Sequence, residues 1–133
     1  MGRCMRRGEV RWYTFAPPDK RRPVLILTRN SAIPLLNALT VAPLTTTLRN
    51  IPTEVFLSPA DGLLADCAVN LDHIQTVPKT QLGALIKSLP FDRMTEVQAA
   101  IRFALGFDDH TWDVQSPTHL HEPAVEWLSD SDA

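Results

Sequence analysis

RRPVLILT (21–28), VAPLTTTLR (41–49) and VNLDHIQTVPK (69–79) are three short apolar runs bounded by polar residues, and their reading decides the fold class. Pro23–Thr28 is continuous and rich in branched side chains. It is too short for a helix and reads as a buried strand, with Pro23 at its first position, where a missing N–H is tolerated. Leu39–Thr45 reads as another strand, and Cys67–Val77 supplies one or two more. Working outward, Val10–Phe15 (VRWYTF) is aromatic and β-prone and forms a first strand. Pro17 and Pro18 end it, and Asp19 favours a turn in the loop Ala16–Arg22. Asn30–Asn37 contains Pro34 and reads as a loop or one helical turn. Leu48–Pro52 connects to an alternating strand, Thr53–Leu57, and Ser58–Asp66 is turn-rich.

The last regular element is a helix over about Asp92–Leu105. Met94, Val97, Ile101 and Leu105 recur at helical spacing, which predicts one face packed on the sheet. Asp92 is the expected N-cap and Gly106 the expected C′ residue. A shorter helical turn is expected around Gln81–Lys87. Five or more short strands with one amphipathic helix predict a fold that is mainly β with α, a small curved sheet or barrel capped by the helix.

The 133 residues suit one domain, 1–109, followed by an acidic C-terminal extension, 110–133. The first part carries a net charge of +3 and the extension −5. Arg3, Arg6, Arg7, Arg11, Lys20, Arg21 and Arg22 make the N-terminal end locally basic, which suits a polyanion partner. In the extension, Trp112 and Trp127 are apolar anchors among acids, expected to dock on the basic face of the domain. No apolar run nears a membrane span, and the first residues lack a signal peptide's apolar stretch, so the expected compartment is the cytoplasm. Cys4 and Cys67 are too few and too far apart for a disulfide framework, and Cys67 reads as a buried hydrophobe. His110, His119 and His121 lack a third spaced ligand in an ordered element, so no metal site is expected.

Two arginines precede the first apolar run, and three threonines and an arginine end the second. Cationic donors and hydroxyls at the mouths of two strands are the groups needed to grip a phosphodiester and stabilise charge building on it. In order after RRGEV (6–10), the three quoted segments resemble the MazF/PemK family of toxin endoribonucleases, over Arg6 to Asp109. The resemblance implies an SH3-like (CcdB/PemK-type) barrel with a C-terminal helix. It places Arg22, before Pro-Val-Leu, on the scissile phosphate. Thr45, ending Val41-Ala42-Pro43-Leu44-Thr45, falls at the family's V-x-P-[IL]-T threonine, implying transition-state stabilisation. Arg21, Thr46, Thr47 and Arg49 are implied contacts to the RNA backbone.

The resemblance also implies a sequence-selective, ribosome-independent and metal-independent cut in single-stranded RNA. The ribose 2′-OH would attack, leaving a 2′,3′-cyclic phosphate and a 5′-OH, with no cofactor. A cognate antitoxin and a homodimer are the implied partners, with no membrane association. Two departures stand out. The loop Ala16–Arg22 is short and lacks the glycine-rich stretch of many members. His73 replaces the glutamine that often follows the acid at Asp72, and with no second catalytic histidine evident it reads as structural or interfacial. The alternative reading is a non-catalytic, CcdB-like toxin that binds a protein target such as DNA gyrase; Arg22 with Thr45 favours the nuclease. A catalytically idle relative is the third.

Overall fold

The computed structural model describes residues 4–17 and 20–107. The expectations for residues 108–133, including the docking of Trp112 and Trp127 and the tail histidines, lie outside the described residues.

Among the described residues, seven antiparallel strands and one α-helix follow in order: β1 Glu9–Thr14, β2 Arg21–Ile26, β3 Ala38–Thr45, β4 Glu54–Leu57, β5 Cys67–Asn70, β6 Gln75–Pro78, β7 Leu85–Ser88 and α1 Phe91–Ala104. The strands pair as β4-β5-β3-β2-β1-β7, and β6 also pairs with β3. The result is the expected mainly-β fold, a small curled sheet capped by a C-terminal helix.

The unbroken apolar run of β2 has a physical reason: the strand is buried on both faces. Leu25 and Leu27 point into a core with Val10, Ala42, Leu44, Val69, Leu71 and Val97. Val24 and Ile26, at alternate positions, join a second core with Ile33, Leu39, Val41, Val77 and Leu82. Leu25 and Ile26 are wholly buried, each stabilising by roughly 1.5–3 kcal/mol relative to an exposed position. The same alternation continues outward. Arg22 shares the face of Val24 and Ile26, whereas Arg21 and Pro23 share the face of Leu25.

Pro23 and Pro43 sit where no ladder N–H is required. Pro23 is the third residue of β2, not the first as expected, but the pairing of β2 with β3 begins only at Val24↔Pro43. Pro43 stands where β3 changes partner. Before it, β3 pairs with β6 as far as Val41↔Gln75, and after it with β5 from Leu44↔Val69. The two partners diverge there, and the single 3-10 turn Leu71–His73 bridges them.

The helix lays Val97 and Ala100 into the first core, with Met94, Ile101 and Ala104 half-buried beside them. Three details differ from expectation. Pro90 is the N-cap, and Asp92 lies inside the first turn, where its Oδ1 accepts the Arg93 N–H. Leu105 is 57% exposed, because the helix ends at Ala104 and Gly106 turns the chain away at φ +80°. Gln81–Lys87 is no helical turn. Only Lys79–Gln81 forms a 3-10 turn, and Leu85–Ser88 is edge strand β7, paired with β1 across a register shift at Val10/Arg11. That irregularity, together with a four-residue length, hides the alternation.

Arg93 fastens the helix to the turn after β4. Its Nε and Nη2 donate to Asp61 at 2.9 and 3.2 Å, and Nη1 donates to Glu96. Asp61 also accepts the Ser58 N–H at 3.0 Å, closing a capping box around Pro59–Asp61. The next residue, Gly62, has φ +93°, and a Cβ there would lie 2.7 Å from the Lys87 stem. The Arg93 hydrogen bonds, against the opposing effect of burial and with help from the Ser58 N–H, hold the Asp61 carboxyl below its usual 3.8. A carboxyl lowered on folding stabilises the protein above its unfolded pKa, and the contribution disappears as pH falls through the folded value. Asp61→Asn is therefore expected to destabilise by roughly 1 kcal/mol at neutral pH, a cap-sized effect. Urea titrations of both proteins should converge as pH falls through the folded value and the carboxyl becomes protonated in both states. A gap unchanged over that fall in pH would refute the assignment.

Candidate active site

The parting of β5 and β6 at Pro43 opens a cleft of about 230 Å³. Phe15, Arg22, Pro43, Thr45, Asn70, His73 and Gln75 line it. Arg22 and Thr45 thus come together, one from the start of β2 and one from the end of β3. They share a sheet face because each is an even number of residues from a core position, Val24 and Val41 respectively.

The guanidinium carbon of Arg22 lies 5.8 Å from the centroid of the Phe15 ring, within the range of cation–π attraction. Phe15 in turn meets Tyr13 edge-on at 4.8 Å. Arg22 has no carboxylate partner among the described residues. A half-buried cation steered by an aromatic wall and not neutralised by an acid leaves its donor fork available to an anion.

Thr45 is oriented through its own oxygen. Its Oγ1 accepts the Thr47 N–H at 3.1 Å, a local turn that ends the strand. A hydroxyl that accepts one hydrogen bond still has its single proton to donate. The interaction therefore fixes the oxygen and leaves its proton free to be donated. Asn70 is arranged similarly, its Oδ1 taking the Asp72 N–H at 3.0 Å, which leaves its NH₂ group as a donor at the cleft wall. Asp72 itself accepts the Thr53 hydroxyl at 2.7 Å and is not part of the lining.

The structure separates the remaining expected contacts. Arg21 lies on the opposite face of β2, with its guanidinium 4.1 Å above the centroid of Trp12. Thr46 and Thr47 lie beyond the strand end and are exposed; Thr46 borders a second, apolar hollow instead. Arg49 is exposed in the following connection and does not line the cleft. Sequence reasoning placed His73 outside the chemistry, yet it stands in the cleft wall between Asn70 and Gln75. Phe15, Asn70 and Gln75 were missed altogether. One signal was available: Asn70, His73 and Gln75 flank the polar stretch where the third apolar run breaks.

Cys67 is buried, and burial with the nearby Asp66 and Asp61 charges pushes its thiol above the ordinary value, which disfavours the thiolate. A larger hollow, about 500 Å³, lies between α1 and Leu27. Its Arg7 is committed to structure, donating through Nε to the Leu27 carbonyl and through the backbone N–H to Asn30.

A family model described as the PemK-like, MazF-like toxin of type II toxin–antitoxin systems matches residues 6–105. Endoribonuclease MazF3 of Mycobacterium tuberculosis is 42% identical over 94 residues, 71% of this chain and 91% of that one. The structure is similar to that of the Mycobacterium tuberculosis toxin MazF-mt6, with TM-score 0.68, 38% identity and coverage of 74% of this chain and 96% of the other. It also resembles a mycobacterial endoribonuclease in complex with its cognate antitoxin, with TM-score 0.68, 31% identity and coverage of 77% and 95%.

Proposed function

This chain belongs to the PemK-like, MazF-like toxin family, and on that premise we propose how it acts: as the endoribonuclease toxin of a type II toxin–antitoxin pair, cutting single-stranded RNA at selected sequences without ribosome or metal. The observation that carries the reading is the convergence of Arg22 and Thr45 on one open cleft.

The reaction needs no protein nucleophile, because RNA supplies its own. The ribose 2′-oxygen bonds to phosphorus, the bond from phosphorus to the 5′-oxygen breaks, and the products carry a 2′,3′-cyclic phosphate and a 5′-OH. Negative charge grows on the non-bridging oxygens as the phosphorane forms. The Arg22 fork and the Thr45 hydroxyl meet that charge with donors already in place. One proton must leave the 2′-OH and one must reach the 5′-oxygen. Arg22 serves as a charge donor through its planar fork. His73 is the cleft residue whose side chain both accepts and donates a proton, and Asn70 adds a neutral donor.

The partners are single-stranded RNA and a cognate antitoxin, as for the mycobacterial relative solved with its own. The expected assembly is a homodimer in the cytoplasm; among the described residues no helix is long and apolar enough to cross a membrane. The family match supports a domain ending near residue 105, with the acidic extension beyond it. The CcdB-like alternative, a toxin that only binds its target, gives no role to a paired cation and hydroxyl donor.

Cleavage of a long RNA in EDTA is the direct test. Bands are expected at few sites, with 5′ ends that a kinase labels without prior phosphatase treatment. Strict dependence on a divalent ion, or 5′-phosphate ends, would overturn the mechanism.

A further inference from the structure

The structure assigns a second role to the mouth of the sheet: we propose that the apolar hollow beside Trp12 receives one nucleobase of the RNA whose phosphate lies in the Arg22 cleft. The inference rests on the endoribonuclease reading and adds a base-binding subsite to it.

The hollow is about 180 Å³, room for one planar ring system. Trp12, Pro23, Leu44, Leu63, Leu64 and Ile86 form most of its wall. It lies on the sheet face opposite the cleft, and the two meet at Thr45, which borders both. Arg21 and Arg22 are consecutive, so strand alternation sets one guanidinium on each side of this rim. Each is held by an aromatic ring, Arg21 over Trp12 and Arg22 near Phe15. Leu64 is 82% exposed at the edge of the hollow, and an apolar side chain left so open contributes little to the fold.

Every nucleotide of single-stranded RNA pairs an anionic phosphate with a flat, largely apolar ring. The rim offers the complement in the same order: a cation and hydroxyl on one side, then a second cation over an indole at an apolar slot. A strand crossing the rim at Thr45 sets its phosphate against Arg22 and turns the adjoining base toward Trp12. Base–aromatic contact tolerates any base, because each has a π-face. The hollow therefore contributes affinity and register and leaves the reading of base edges to other groups. Arg21 then meets the next phosphate along the strand.

The test uses the full chain and an RNA carrying a single 2′-deoxy nucleotide at the mapped cut, which removes the nucleophile and keeps the complex intact. Affinity is measured by fluorescence anisotropy, with an abasic nucleotide walked through the positions flanking that linkage. The expected result is a loss of roughly tenfold at one flanking position, the size of one base–aromatic contact. Trp12→Ala should lose a similar factor on intact RNA and nothing more from that abasic position. Leu64→Ala, a change at an exposed residue, should weaken binding less and blunt the same position. Equal abasic penalties in wild type and both variants would overturn the proposal while leaving cleavage of intact RNA, and so the nuclease reading, untouched. Sedimentation decides the other occupant: a Trp12→Ala loss that tracks dissociation of the protein into smaller species would mean that the hollow holds a second copy, and would also overturn it.

Discussion

Arg22→Ala is expected to slow RNA cleavage by about 10²-fold or more, the effect of removing one preorganised donor from developing charge. The argument starts from what Arg22 does not do. It has no carboxylate partner among the described residues, so its removal breaks no ion pair. It is half-buried at the start of β2, and its ordered neighbour is the Phe15 ring. Folding should therefore tolerate the change, with a stability loss no greater than that of a surface cation. The rate effect should appear mainly in kcat, because the phosphorane carries more charge on its oxygens than the ground-state diester does. Arg22→Lys should recover only part of the activity. It restores the charge but not the planar fork that meets two oxygens at once. A folded Arg22→Ala variant, checked by circular dichroism, that cuts within a few-fold of wild type would remove Arg22 from the chemistry.

The same strand shows how much of this site was legible. Alternation along RRPVLI (21–26) is enough to put Arg21 and Arg22 on opposite faces once β2 is known to be buried on both sides. The buried state follows from the run itself, since Val24, Leu25 and Ile26 leave no polar face. Strands β1 to β5 were legible for the same reason, each being an apolar or alternating run bounded by turn residues. β7 was not. Its pairing depends on a register shift opposite Val10/Arg11, which no local pattern in Leu85–Ser88 records. The cleft as a whole was hidden for a topological reason. It exists because β3 exchanges β6 for β5 at Pro43, and the 3-10 turn that spans the gap carries His73 into the wall. A single sequence shows the proline and the histidine but not the exchange of partners that brings them together. The roles of Arg22 and Thr45 came from their resemblance to a family motif; the structure contributes their shared cleft.

Thr45→Val should be nearly as damaging as the loss of Arg22, with cleavage reduced by about 10²-fold. Valine keeps the β-branched shape that suits the end of a strand, so the change removes the hydroxyl and little volume. Two consequences follow from the observed geometry. The cleft loses the donor proton left over after Oγ1 accepts the Thr47 N–H, and that N–H loses its partner. Thr47 is exposed, so water replaces the lost acceptor and the folding cost stays within about 1 kcal/mol. Thr45→Ser separates the two effects. Serine keeps the oxygen and its proton but has an extra χ1 freedom, so it should keep most of the activity, within about tenfold. The decisive comparison is single-turnover cleavage by the three proteins at saturating enzyme. If valine and serine cut alike, the hydroxyl takes no part in the chemistry, and Thr45 is a strand-end residue whose place in the cleft is only structural. If serine stays close to threonine while valine falls by two orders of magnitude, the hydroxyl proton is the working group, and the turn closed by Thr47 is what aims it.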